Sequence, residues 1–187
     1  MIEKATYKLV GQTPLLMHAA NALNPFNEYH KAMKKITGIR KKQEEDHLKL
    51  MELEFLSGLY LDDKNRPIIP GNVLMGGIKS AAKKFRQGRQ ADEGLWVEND
   101  AVLKFDGPKD LQKRFDKAQY LYTKVVLSGK SIMRTRPKFS GWSAEIEVCF
   151  QTDLINREDV DKWIKRLETM GIMDYRPQYG RFTSEAA

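Results

Sequence analysis

Residues 69–86, IPGNVLMGGIKSAAKKFR, constrain this chain more than any other stretch. The apolar pair Ile68–Ile69 runs into Pro70, which cannot continue a strand interior. Gly71 and Asn72 supply a turn, and Asn72 is the expected helix N-cap, since its side chain can accept an orphan amide of the first turn. Leu74, Ile78, Ala81 and Phe85 follow at spacings of four, three and four, which draws one apolar stripe along a helix over 70–86. Lys79, Lys83, Lys84 and Arg86 lie on the opposite face. Gly76 and Gly77 sit inside that helix, where each glycine costs about 1 kcal/mol against alanine. Something must approach the backbone closely to offset that loss. Tight packing of helix on sheet does so, and so does a nucleic-acid backbone crossing a small-residue, lysine-flanked surface.

A chain of 187 residues is long enough for one domain with a sizeable core. No run approaches the roughly 18 apolar residues of a membrane span, and MIEKATYKLV carries no apolar signal core. Cys149 is the single cysteine, which excludes internal disulfides and a multi-cysteine zinc site. The expectation is a cytoplasmic protein with no membrane partner. A net charge of +7 favours a polyanionic partner, and the cations are grouped by segment. Lys31 to Lys42 hold one cluster, Lys79 to Arg89 a second, Lys130, Arg134, Arg136 and Lys138 a third, and Arg176 with Arg181 a fourth.

The clearest elements are a strand over 3–11, the helix over 70–86, strands over 119–128 and 143–151, a helix over 157–170 and a strand over 179–183. Within SAEIEVCFQT, Ala144, Ile146, Val148 and Phe150 alternate with Glu145, Glu147 and Cys149. The second helix has Asn156 as its N-cap, Val160, Trp163, Ile164 and Leu167 as its stripe, and Gly171 as its stop. The order is the α+β, ferredoxin-like βαββαβ pattern. Residues 19–56 read as an inserted, mostly helical lobe, so that one domain of 1–187 has its core in 1–18 and 57–187. QGRQADEG at 87–94 reads as a flexible loop, and Leu95–Val97 and Val102–Phe105 as short strands at the sheet edge.

Two segments interleave cations with aromatics. In MRTRPKFSGW at 133–142, Arg134, Arg136 and Lys138 can hold phosphates while Phe139 or Trp142 stacks a base, unless the aromatics turn inward from a solvated hairpin. Tyr175, Arg176, Tyr179, Arg181 and Phe182 repeat the pattern, though Asp174 fixing an arginine would make that loop structural. His18, His30 and His47 stand without a carboxylate cluster or a second histidine at ligand spacing. No nucleophile motif, phosphate loop or dinucleotide fingerprint occurs, so neither metal, cofactor nor enzymatic activity is expected.

IPGNVLMGGIK resembles the I-P-G-S-S-L-K-G-A-L-R signature of the RAMP superfamily, the RRM-like proteins that coat or process guide RNA in CRISPR systems. Ile69, Pro70, Gly71, Leu74 and Gly76 match it, and Ile78 and Lys79 are conservative replacements; Asn72, Val73, Met75 and Gly77 depart from it. The resemblance covers about a tenth of the chain. It implies a glycine-containing loop between the second helix and the last strand, where GIMDYRPQYGRF lies, with Asp174, Arg176 and Pro177 in place of further glycines. It also implies side-by-side assembly along a strand, with the 19–56 lobe gripping the strand or a neighbouring copy. GQTPLLMH, RTRPKFSGW and YRPQYGRF are similar to bacteriophage proteins as well, which makes phage single-stranded DNA an alternative to guide RNA.

The expected function is non-catalytic binding of single-stranded nucleic acid by copies arranged in a filament or ring. The candidate contacts are Lys79, Lys83, Lys84, Arg89, Arg134, Arg136, Lys138, Trp142, Tyr175, Arg176, Tyr179 and Arg181. The alternatives are a metal-independent RNA endonuclease of the RAMP type using His18 or His30, and a protein-interaction or inhibitor module.

Overall fold

A computed structural model describes residues 1–128 and 130–186; the side chains of 126–128 and 130–132, and with them Lys130 of the third basic cluster, lie outside the described residues. In chain order the elements are β1 (Ile2–Gly11), β2 (Leu15–Leu16), α1 (Glu28–Thr37), α2 (Glu44–Ser57), β3 (Ile68–Ile69), α3 (Gly71–Lys83), α4 (Gly88–Gly94) and β4 (Leu95–Trp96). They continue with β5 (Ala101–Val102), α5 (Leu111–Phe115), β6 (Leu121–Ser128), β7 (Lys130–Phe139), β8 (Ser143–Gln151), α6 (Arg157–Met170) and β9 (Phe182–Ala186). The chain divides into two compact units. The first takes Met1–Leu15, Leu61–Asp106 and Ser140 onward; the second takes Leu16–Tyr60 and Gly107–Phe139.

The first unit is built on an antiparallel sheet in the order β4-β8-β1-β9. The alternation of β8 sets its register: Ala5, Tyr7 and Leu9 of β1 stand opposite Val148, Ile146 and Ala144, and all six are buried. This face is covered by the apolar stripes of α3 (Leu74, Ile78, Ala81) and α6 (Val160, Trp163, Ile164, Leu167), whose side chains are 0–1% exposed. Each of the valine, leucine and isoleucine side chains among them contributes roughly 1.5–3 kcal/mol on burial. With α3 between β1 and β4 and α6 between β8 and β9, the α+β ferredoxin-like expectation holds, with one correction. The second core strand is β4, not 119–128. β4 pairs only Leu95 with Phe150 and Trp96 with Cys149, too short a run to show a period of two. The β-branched and aromatic run at 119–128 does form a strand, β6, but in a hairpin with β7 in the other unit. Strand propensity names the element without naming its sheet.

Two polar links fix α6. Gln87 accepts from Trp163 Nε1 at 2.9 Å and donates to Asp159 Oδ1 at 2.7 Å, joining the turn after α3 to the helix. Glu168 Oε1 accepts from both the backbone amide and the hydroxyl of Ser184, at 2.7 and 2.8 Å, joining α6 to β9. The segment 87–94, expected as a loop, is the seven-residue helix α4. Its single apolar side chain, Ala91, is fully buried, and the Arg89–Glu93 pair spans one turn at 2.9 Å.

The second unit carries a three-stranded sheet in the order β2-β7-β6, the chain passing between units at β2. The segment 19–56 supplies α1 and α2, and α2 packs on β7. Arg114 of α5 is fully buried. Its guanidinium lies between the rings of Tyr120 and Phe139, 4.2 and 4.6 Å from their centroids, and donates to the carbonyls of Pro108 and Lys138 at 3.2 and 2.9 Å. A buried guanidinium is tolerable only when hydrogen-bonded in this way. Among the described residues no helix is long and apolar enough to cross a membrane.

Glu168 makes the fold sensitive to acid. Burial works against its ionisation, but the hydrogen bonds from Ser184 and Lys165 outweigh burial and hold the carboxyl below its ordinary range. A depressed folded value gives stability that is full above the unfolded value, near 4.3, and is lost as pH falls through the folded one. Glu168→Gln is therefore expected to cost about 1–2 kcal/mol at pH 7. In thermal melts its gap to wild type narrows below about pH 4; a gap independent of pH would contradict this assignment.

Candidate nucleic-acid interface

α3 starts at Gly71, whose amide donates to Asp100 Oδ1 at 2.8 Å. The expected cap, Asn72, instead lies exposed in the first turn, because the cap comes from a loop distant in sequence. The two mid-helix glycines have separate explanations. A Cβ at Gly77 would stand 3.3 Å from both δ-carbons of Leu167 and 3.8 Å from Ile172, so this glycine permits close packing of α3 on α6 and on the loop that follows it. A Cβ at Gly76 would meet nothing within 4 Å. Gly76 lies on the solvent face, with Ser80 one turn on and Lys83 two turns on, and nothing within the unit explains its cost.

The loop from Gly171 to Arg181 is tied at its base. Ile172 N donates to Gly180 O at 3.0 Å, Gly180 N to Pro14 O at 2.9 Å, and Arg181 N to Thr13 Oγ1 at 2.9 Å. Gly171 and Gly180 have φ values of +72° and +73°, and a Cβ at Gly180 would collide with the carbonyl of Ile172. The glycine pair therefore closes the loop, and the residues between are displayed. Arg176 and Gln178 are exposed, Tyr175 and Tyr179 half-buried. Asp174 Oδ1 accepts from the Tyr175 amide at 3.0 Å.

The expected contact residues divide by what they already hold. Lys79 is largely covered and reaches the Asp92 carbonyl at 3.3 Å and its carboxylate at 3.8 Å. Arg89 pairs with Glu93. Lys83, Lys84, Arg176 and Arg181 are exposed in the first unit, and among the described residues none of them has an ion-pair partner. In the second unit Arg134 donates to Glu54 Oε1 at 2.6 Å, and Arg136, 8% exposed, donates to the Thr135 carbonyl at 3.1 Å. Lys138 is half-buried.

Trp142 is a correction. It is 1% exposed, its Nε1 donates to the Thr13 carbonyl at 2.8 Å, and its ring meets Phe182 edge-on at 6.1 Å. Gly11 makes the room, since a Cβ there would collide with the indole. Phe139 is also fully buried, against Arg114. Neither ring is available to stack a base. The sheet face away from the helices is charge-paired: Lys8 stands opposite Glu145 and Glu185 across strands, Lys4 bridges Glu147 and Glu98 at 2.7 and 3.4 Å, and the half-buried Trp96 donates its Nε1 to Glu98 at 3.2 Å. Those two carboxylates and Cys149 form a group with metal-ligand proximity, but the Lys4 ammonium already satisfies both acids. His30 Nδ1 is bonded to the Ala22 carbonyl at 2.7 Å, and His18 and His47 are exposed.

No protein-family model matches the sequence, and no curated protein matches it. Solved structures do. A chain from a cryo-EM structure of the Type III-B Cmr-beta bound to cognate target RNA superposes with a TM-score of 0.56 at 13% identity, over 98% of this chain and 61% of that one. The likeness is one of fold: an α+β core shared with that Cmr-beta chain. The present chain spans about 61% of the length of that Cmr-beta chain. Cmr6 from Pyrococcus furiosus aligns over 99% of both chains at 12% identity with a TM-score of 0.41, which adds nothing to the fold assignment. Within this fold Pro70 and Gly71 start α3, and the glycine-bracketed loop stands between α6 and β9, the place the resemblance implied.

The two glycines give opposite expectations. Gly76→Ala should raise stability by about 0.5–1 kcal/mol in chemical denaturation, as at any exposed helix-interior site. Gly77→Val should lower it by about 1–3 kcal/mol through overpacking against Leu167. Destabilisation by Gly76→Ala would show that its face is packed rather than open.

Proposed function

We propose that the protein is a non-catalytic binder of single-stranded nucleic acid, whose copies assemble side by side along the strand. The observation that carries this reading is a neighbouring group among the exposed first-unit cations without acidic partners: Lys83 and Lys84 at the end of α3, and Arg176 and Arg181 in the loop that packs on α3 through Ile172. Pairing with a carboxylate would cancel such charges; leaving them unpaired keeps them available to phosphates. Gly76 adds an open, side-chain-free patch of helix on the same face as Lys83. Tyr175 and Tyr179 take over the stacking role that Trp142 and Phe139 cannot fill, with little reading of sequence. The RNA-bound state of the Cmr-beta neighbour supports the same ligand class, and single-stranded DNA remains within the proposal because backbone contacts read charge rather than sugar.

The test is fluorescence anisotropy with single-stranded RNA, single-stranded DNA and duplex DNA at several salt concentrations. Four phosphate contacts predict a log–log salt slope of about −3 on a single strand. Replacing Lys83, Lys84, Arg176 and Arg181 together by Gln should bring the slope close to zero. Mass photometry should show stoichiometry rising stepwise with strand length, and the strand should stay intact throughout. A preference for duplex, a salt-independent affinity, or an unchanged slope in the fourfold variant would overturn the proposal.

A further inference from the structure

Four of the nine large apolar side chains that stand exposed among the described residues fall between residues 23 and 48: Leu23 at 79%, Phe26 at 82%, Ile39 at 39% and Leu48 at 52%. All four lie in or beside α1 and α2 of the second unit. α1 itself contains no fully buried residue. Tyr29, Ala32, Met33 and Ile36 are only half-buried, although α1 packs on α2. A helix of ten residues depends on tertiary cover for its stability. Lys31 and Lys35, like charges one turn apart, work against it. Its own chain leaves α1 under-covered.

Phe26 is held in its exposed place. Its amide donates to Asn24 Oδ1 at 3.0 Å, and Asn27 caps α1 by accepting from the Tyr29 amide at 2.8 Å. Phe26 therefore stands just before the cap, where an apolar residue ordinarily packs on the fourth residue of the helix. Here that residue is Lys31. The helix goes on to present Lys31, Lys34 and Lys35 on one exposed side, with Glu28 as its single carboxylate. At the start of α2 the sign reverses. Glu44 and Glu45 are exposed, Leu48 lies one turn on from both, and Asp46 is turned back to the Gln43 amide at 2.9 Å. Among the described residues, none of the three lysines and neither Glu44 nor Glu45 has an ion-pair partner. Consecutive helices thus carry opposite charges that the chain does not pair within itself, each beside exposed apolar side chains.

We infer that the α1 face of one copy docks on the start of α2 in the next. The three lysines meet Glu44 and Glu45, and Leu23, Phe26 and Leu48 exclude water between them. A nucleic-acid strand or an acidic protein would meet the lysines but leave the Glu44–Leu48 face uncovered; a second copy covers both. The inference rests on the side-by-side assembly proposed above and names its contact. Each face meets a different one, so the contact propagates from copy to copy instead of closing as a symmetric dimer.

Sedimentation velocity of the full-length protein tests this, alone and on single strands long enough for one copy and for four, at several salt concentrations. Lys31→Glu/Lys34→Glu/Lys35→Glu reverses one face and Glu44→Lys/Glu45→Lys the other. Leu23→Ser/Phe26→Ser removes apolar surface at exposed positions and leaves the melting temperature unchanged. Wild-type copies are expected to associate less as salt rises. Each variant should raise the dissociation constant between copies at least tenfold, with affinity for the one-copy strand unchanged. An equimolar mixture of the two charge-reversed variants should associate again, because opposite faces then meet. If the wild type binds no strand but the mixture behaves in this way, the strand reading falls and the contact stands. If the wild type fills the long strand copy by copy and the variants do likewise, the strand reading stands and the contact is overturned. The contact is also overturned if wild-type copies associate neither alone nor on the strand, or if the mixture stays dissociated. A tenfold loss of one-copy strand affinity in the lysine variant, with association of copies unchanged, would assign the face to nucleic acid instead.

Discussion

The first unit depends on the contact of α3 with α6 at Gly77. With no side chain there, Leu167 comes within 3.3 Å of the position a Cβ would take, and Ile172 comes nearly as close. The helices cover the sheet from Ala5 to Phe150, and the loop after α6 begins against α3 rather than apart from it. The two-glycine sequence thus serves two purposes. Gly77 faces inward and sets helix spacing, and its neighbour one residue earlier faces outward and leaves the backbone bare. A helix of period 3.6 cannot present both to the same partner, so inward packing explains only one of them.

Charge follows the same division. Cations whose work is structural have acidic or carbonyl partners: Lys79 with Asp92, Arg89 with Glu93, Arg134 with Glu54, Arg114 with two carbonyls between two rings. The net charge of +7 is therefore not spread evenly over the chemistry. In the first unit the cations without an acidic partner among the described residues include those at the end of α3 and in the glycine-bracketed loop, along with Lys162 and Arg166 of α6, while the open face of the sheet is charge-paired by Lys–Glu neighbours. Because the open sheet face is charge-paired, the candidate interface falls to helix and loop, where Lys83, Lys84, Arg176 and Arg181 are exposed.

The elements that were legible in the sequence are those whose causes are local. Asn156 accepts from the Asp159 amide at 2.8 Å, as its position before the apolar stripe implied, and Gly171 closes that helix. The alternation from Ala144 to Phe150 describes the buried face, although Cys149, on the other phase, is buried too. What escaped was set by distant partners. The short edge strand expected at Leu95–Val97 is β4, but its place as the second core strand comes from pairing with Phe150 and Cys149, and Asp100 caps α3 from a loop twenty-nine residues on. α4 was missed because one buried alanine makes no pattern. Trp142 next to three cations reads as a stacking ring, and only the cavity left by Gly11 and the Thr13 carbonyl shows why it turns inward. Aromatic and cation in alternation carry no information about which of the two faces solvent.

Photo-crosslinking of the protein to a single strand bearing a photoreactive base, followed by mapping of the attached peptides, tests the central claim most directly. The account predicts adducts in the segments holding Lys83–Lys84 and Tyr175–Arg181. Adducts confined to the open sheet face, on the peptides of Lys4 and Lys8, or no adducts at all, would contradict it.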